Sequence, residues 1–180
     1  MLSYKSISGL LLCIITAIGC AHEPIPPSYT RAPVIPVKIF LSNGFSPAER
    51  LLAEETARRI VLGPMSSIFS QNFNVRFSVK EPIEYVTLKT KDGDVMLELA
   101  EEKAQAISRQ HPKAFTYIYT KEELDLSRYR NDDARYICGS SMGLLAKRGG
   151  YAAAIVHLSD ANTGFCSTHE ALHLLGGSHT

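Results

Sequence analysis

The chain lacks an excess of charge of either sign. Nineteen Lys and Arg stand against eighteen Asp and Glu, a net charge of +1. That balance gives no electrostatic case for nucleic acid or an anionic membrane surface as a partner. Beyond its first twenty residues it also lacks any apolar run long enough to cross a bilayer. It has no C-x-x-C pair, no glycine-rich phosphate loop and no Ser/His/Asp order, which removes thioredoxin-like, nucleotide-binding and serine-hydrolase chemistry. No internal repeat is present, and the only biased stretch is a proline-rich one. With 45% hydrophobic and 21% charged residues in 180, the composition is that of one globular domain with a proper core.

What is present begins with a targeting segment, residues 1–19. Lys5 precedes a largely apolar run from Ile7 to Ile18, too short for a comfortable span. Ala17-Ile18-Gly19-Cys20 then resembles a bacterial lipobox, with Ala17 where leucine is usual. The expectation is an exported protein of the bacterial cell envelope, on its periplasmic or surface side, anchored in the membrane by lipid on Cys20. The alternative is an ordinary secretory signal cut near Ala21. Residues 20–36 hold five of the nine prolines and read as a stiff extended tether. Cys138 and Cys166 are the two cysteines outside the signal. In an oxidising compartment they are expected to pair, and Cys166 lies three residues before His169. The alternative is two reduced thiols packed as small apolar groups.

The rest, residues 37–180, reads as an α/β domain. Val37 to Leu41 is a buried strand. Ser46-Pro47-Ala48-Glu49 is a helix start with a capping box, and the apolar stripe that follows is expected to stop at Gly63-Pro64. Phe73, Val75, Phe77 and Val79 alternate with polar residues, predicting a second strand parallel to the first. Asp92-Gly93-Asp94 is a turn, Val95 to Gln110 a helix, and Ala114 to Thr120 a third strand. Lys121 to Asp133 reads as a charged loop, and Tyr151 to Leu158 as a closely covered strand.

The chemistry sits at the end of the chain. His169 and His173 are four apart, so on a helix their imidazoles share one face, one turn apart. Two such histidines can share a zinc ion at about 2.0–2.1 Å. Glu170 flanks the first of them, within reach of a water but not as a ligand. His179 follows ten residues after His169. On a continued helix it would lie about 15 Å further along and about 80° round, out of reach of that metal. The chain must therefore turn, and Gly176-Gly177 supply positions that tolerate positive φ. Of the other histidines, His157 reads as packed at a strand end, His111 as solvent-facing, and His22 lies in the tether. Asp160 reads either as an acceptor behind a ligand histidine or as a turn residue.

His169-Glu170-x-x-His173-x-x-Gly176-x-x-His179 resembles the zinc-binding signature of the metzincin clan of metallopeptidases at every fixed position. The resemblance implies a zinc cofactor held by His169, His173 and His179, and hydrolysis of peptide bonds by an activated water with Glu170 as general base. It implies a twisted mixed sheet packed on helices, the upper subdomain of a zincin-like fold. It also implies an antiparallel edge strand that binds extended substrate, placed by position at Met142, Gly143, Leu144, Leu145 and Ala146. The partner is then a protein or peptide substrate. The helix expected at Val95 to Gln110 is not part of the minimal family pattern. Metzincins continue past the third histidine into a lower subdomain with a methionine turn, and here Thr180 follows His179. The expectation is a truncated or degenerate version. The alternative function is a non-catalytic exported lipoprotein that keeps the zinc motif as a remnant.

Overall fold

The computed structural model describes residues 32–125, 138–143, 151–159 and 162–177. They form a mixed α/β fold, a five-stranded mixed sheet packed on helices. Strand β1 runs Val34–Ser42, three residues earlier than the buried run at Val37 requires, and takes in Pro36 from the proline-rich stretch. Helix α1, Pro47–Ile60, starts as its sequence dictates. Ser46 is its N-cap, Pro47 opens it, and Glu49 Oε2 accepts the Ser46 N–H at 2.8 Å.

Gly63-Pro64 does not stop the helical run. A π-helical turn, Val61–Met65, carries the chain past it into helix α2, Ser66–Phe73. Pro64 has no N–H to give, and the wide turn routes bonds around it, with Ser66 N donating to the carbonyls of Gly63 and Val61. Phe73 is therefore the last residue of a helix and half exposed, rather than the first of a strand. Asn74 ends that helix in the left-handed conformation at φ 52°.

Strand β2, Arg76–Val86, pairs parallel with β1 as the strand–helix–strand order requires. It is an edge strand with an irregular register between Lys38 and Phe40 of its partner and a cis Glu81–Pro82 peptide. Lys38, buried in β1, bonds the Pro82 carbonyl at 2.5 Å and Glu84 at 2.6 Å across this irregularity. A short hairpin, β3 Thr90–Lys91 and β4 Asp94–Val95, turns at Asp92-Gly93. Helix α3 is Leu97–Gln110, and β5 is Phe115–Thr120, parallel to β1. Strand β6, Gly139–Gly143, pairs antiparallel with β7, Ala152–His157, which is parallel to β5. Helix α4, Thr163–Leu174, closes the described fold. The sheet order is β2-β1-β5-β7-β6.

Alternation along the central strands divides the core in two. Val37, Ile39 and Leu41 of β1, with Phe115, Tyr117 and Tyr119 of β5, pack on α1, α2 and α4. Phe40, Ile118, Ala153 and Ile155 face the other way, onto Leu97, Ala100 and Ala104 of α3. The helix absent from the minimal family pattern thus covers the second face of the sheet. Ala152, Ala153 and Ala154 of β7 are almost wholly buried, so small side chains let helices close on both faces there. No helix among the described residues is long and apolar enough to cross a membrane.

Two measurements check this packing. Phe69 is fully buried and meets Phe73 and Phe77 at ring-centroid distances of 5.3 and 5.1 Å. Phe69→Ala should cost about 3–5 kcal/mol in urea unfolding, as a cavity in a closed aromatic cluster. Glu49 meets Lys121 Nζ at 2.7 Å, and that contact first, then Ser46, holds its carboxyl at about 2. A lowered pKa stabilises the fold fully above the unfolded value of 4.5 and ceases to do so as pH falls towards 2. Glu49→Gln should therefore separate from the parent at neutral pH and converge with it in acid.

Candidate metal centre

Helix α4 starts after Asn162, with no side-chain cap, and a glycine turn ends it. The Asn162 carbonyl accepts the Cys166 N–H at 2.9 Å, and Thr163 Oγ1 accepts the Ser159 N–H at 2.8 Å. Its rotation is set from the sheet below. Tyr117 Oη donates to the Ser167 carbonyl at 2.7 Å, and Tyr119 Oη meets Ser167 Oγ at 3.1 Å. Both rings are fully buried and stacked, with centroids 5.8 Å apart. Burial pushes the Tyr117 hydroxyl well above its usual range, reinforced by Tyr119 and then by Glu170, so it stays a neutral donor. Ser167, Ala171 and Leu174 thus face the core, and the stripe carrying His169 and His173 faces outward.

The disulfide between Cys138 and Cys166, with Cα atoms 5.8 Å apart, joins the residue before β6 to the first half of α4. Gly139 opens β6 beside Glu170, which is 5% exposed. A Cβ at Gly139 would stand 3.1 Å from Glu170 Cγ and 3.2 Å from its Oε1. The carboxylate therefore lies against bare backbone of the edge strand. Gly139 is a site residue that the motif did not reveal, since the contact crosses 31 positions and nothing local marks it.

His169 and His173 converge. Their Nε2 atoms stand 3.0 Å apart, and their rings meet edge to face with centroids 4.6 Å apart. Two ligands of one tetrahedral zinc at about 2.0–2.1 Å stand about 3.3 Å apart, so the pair fits the ion with a small adjustment. Phe165, one turn before, stacks along His169 with centroids 6.2 Å apart.

The helix ends in a Schellman motif. Gly177 N donates to Leu172 O at 2.8 Å, Gly176 N to His173 O at 2.9 Å, and Gly176 sits at φ 101°. The turn expected at Gly176-Gly177 is present. It also does something the motif does not spell out, because His173 Nδ1 lies 2.9 Å from Gly177 O. A carbonyl only accepts, so Nδ1 carries the proton and Nε2 is left with a lone pair towards His169. This is the tautomer a metal ligand needs at His173, and imidazole nitrogen is a donor of the kind zinc takes.

Not every expected residue falls in the described part. His179, Cys20, Asp160, Leu144, Leu145 and Ala146 lie outside it. Among the described residues no group of three His, Cys, Asp or Glu converges, so His169 and His173 are a pair there. The edge strand is Gly139–Gly143 rather than 142–146. Met142 and Gly143 are its last residues, and Gly139, Ser140 and Ser141, which carry no apolar alternation, make up the rest. His157 is bound, its Nε2 being 3.0 Å from Lys121 O, and is no ligand to this pair.

A substitution at the turn tests this geometry. Gly176→Ala forces a Cβ into the left-handed region and should cost about 1–2 kcal/mol in denaturation. Because it displaces the acceptor of His173 Nδ1, zinc affinity measured by chelator competition should fall about 10–100-fold.

No protein-family profile matches the chain, and no curated protein is similar to it in sequence. Among solved structures, one described as metalloproteinase-II from Bacteroides fragilis superposes with a TM-score of 0.51 at 18% identity. The match covers 86% of this chain and 46% of that one, so this chain spans about half the length of the structure it resembles. At that identity the likeness establishes the fold: a mixed sheet on helices of the kind found in a metalloproteinase.

Proposed function

We propose that the chain is a zinc-dependent metallopeptidase. The observation that carries this reading is the convergence of His169 Nε2 and His173 Nε2, 3.0 Å apart, on a helix that carries the buried Glu170 between them in sequence. The third ligand in this reading is His179. The fold shared with a metalloproteinase supports it. Bound zinc would supply Lewis acidity that polarises a peptide carbonyl and acidifies a water towards about pKa 7. His169 and His173 would hold the ion through their Nε2 atoms, which stand 3.0 Å apart. Glu170 takes the proton of the attacking water as general base and returns it to the leaving amine. The edge strand, including Met142 and Gly143, would align an extended peptide through backbone hydrogen bonds.

Export and lipid anchoring at Cys20 belong to the same proposal, on the strength of Ala17-Ile18-Gly19-Cys20. Mass spectrometry of the mature protein should find a diacylglycerol-modified Cys20. An unmodified N-terminus at or beyond Ala21 would remove the anchor.

Glu170→Gln tests the chemistry with little change of volume. It should retain zinc and lose turnover of an unstructured protein substrate by at least about a hundredfold. Zinc binding by the parent with no hydrolysis of any peptide library would favour the non-catalytic lipoprotein instead.

A further inference from the structure

Two features meet at the first residue of β6. One is the bare backbone of Gly139, which Glu170 approaches so closely that a Cβ there would stand 3.1 Å from its Cγ. The other is the preceding residue, Cys138, bonded to Cys166 on α4. Cys166 lies one helical turn before Glu170, so the bond and the carboxylate share a stretch of helix. Gly139 is thereby held from two sides. Its ladder partner is Val156 of β7, and the Cys138 carbonyl accepts the His157 N–H at 3.1 Å. The disulfide supplies the covalent link between this strand end and the helix beneath it.

We propose that Gly139 and the Cys138–Cys166 disulfide together position the Glu170 carboxylate, so that the base is set only in the oxidised protein. The role of Glu170 as base rests on the peptidase reading; the positioning rests on the contact itself. Reduction by a dithiol supplies two electrons and two protons, breaks the S–S bond and leaves two thiols. Residue 138 is then tied to α4 by non-covalent contacts only, and the slot at Gly139 can drift from Glu170. Disulfides persist in exported compartments, whereas the cytoplasm keeps cysteines as thiols. The device would leave the chain silent where it is made and active where it is delivered.

A double-mutant cycle reads the contact without any activity. A Cβ at Gly139 also meets the Ile155 carbonyl at 3.0 Å, so Gly139→Ala has a cost unrelated to Glu170. In metal-free oxidised protein, Gly139→Ala should lower the urea midpoint less when Glu170→Ala has already removed Cγ and the carboxylate. In the Cys138→Ser/Cys166→Ser protein the two substitutions should become additive. Additivity in the oxidised protein, or undiminished coupling without the disulfide, would overturn the proposal. So would a disulfide-free protein that unfolds outright, since the bond would then carry the fold rather than the site.

Zinc-loaded enzyme gives the second readout. Gly139→Ala should cut kcat at least about tenfold while KM and zinc affinity stay within about threefold, the pattern of a displaced base. A parallel loss of zinc affinity would mean that α4 itself is distorted, and the assignment would fail. A parent that hydrolyses nothing would sink the peptidase reading, and the cycle would still decide the positioning.

Discussion

The hydrogen bond from His173 Nδ1 to the Gly177 carbonyl depends on a glycine turn that ends a helix, and the candidate metal centre depends on that bond. The left-handed Gly176 lets the chain fold back over its last helical turn. The amides of Gly176 and Gly177 then satisfy the carbonyls of His173 and Leu172, and the Gly177 carbonyl comes to the second imidazole. One local structure thus caps the helix, redirects the chain and fixes a tautomer. A longer helix would satisfy the same carbonyls but would leave His173 without this acceptor.

The turn acts on a helix whose orientation is settled elsewhere. Tyr117 and Tyr119 rise from the sheet to Ser167, and the disulfide joins Cys166 to the edge strand. These ties lie on the buried side of α4, opposite the histidines. Small residues complete the arrangement: alanines in β7 let the helix approach the sheet, and Gly139 lets the Glu170 carboxylate lie against the strand. Rigid support behind and two converging nitrogens in front are what a preorganised metal site requires.

The sequence made the site more legible than the path of the chain. The i, i+4 histidines, the adjoining glutamate and the glycine pair act through spacing along one helix and one turn, and spacing is what a sequence records. The capping box at Ser46 and the alternation of Phe77 and Val79 were readable for the same reason. Gly63-Pro64 misled because a π-helical turn absorbs a proline, and the bonds that permit this depend on packing against α4 and β2. Phe73 continues the alternation of Val75 and Phe77 in sequence, yet it ends a helix, because the helical run passes Gly63-Pro64 and reaches it. Position in the family pattern puts the edge strand at 142–146, yet it begins at Gly139, where β7 offers a ladder to three residues with no apolar period. Gly139 and Tyr117 reach the site across the fold, and no local pattern marks them.

X-ray absorption at the zinc edge, on the oxidised chain loaded with one equivalent of zinc, addresses the metal centre most directly. Imidazole scattering with nitrogen neighbours at about 2.0–2.1 Å is expected, diminished when His173 is replaced by Ala. A shell of water oxygens alone, unchanged by that substitution, would contradict it.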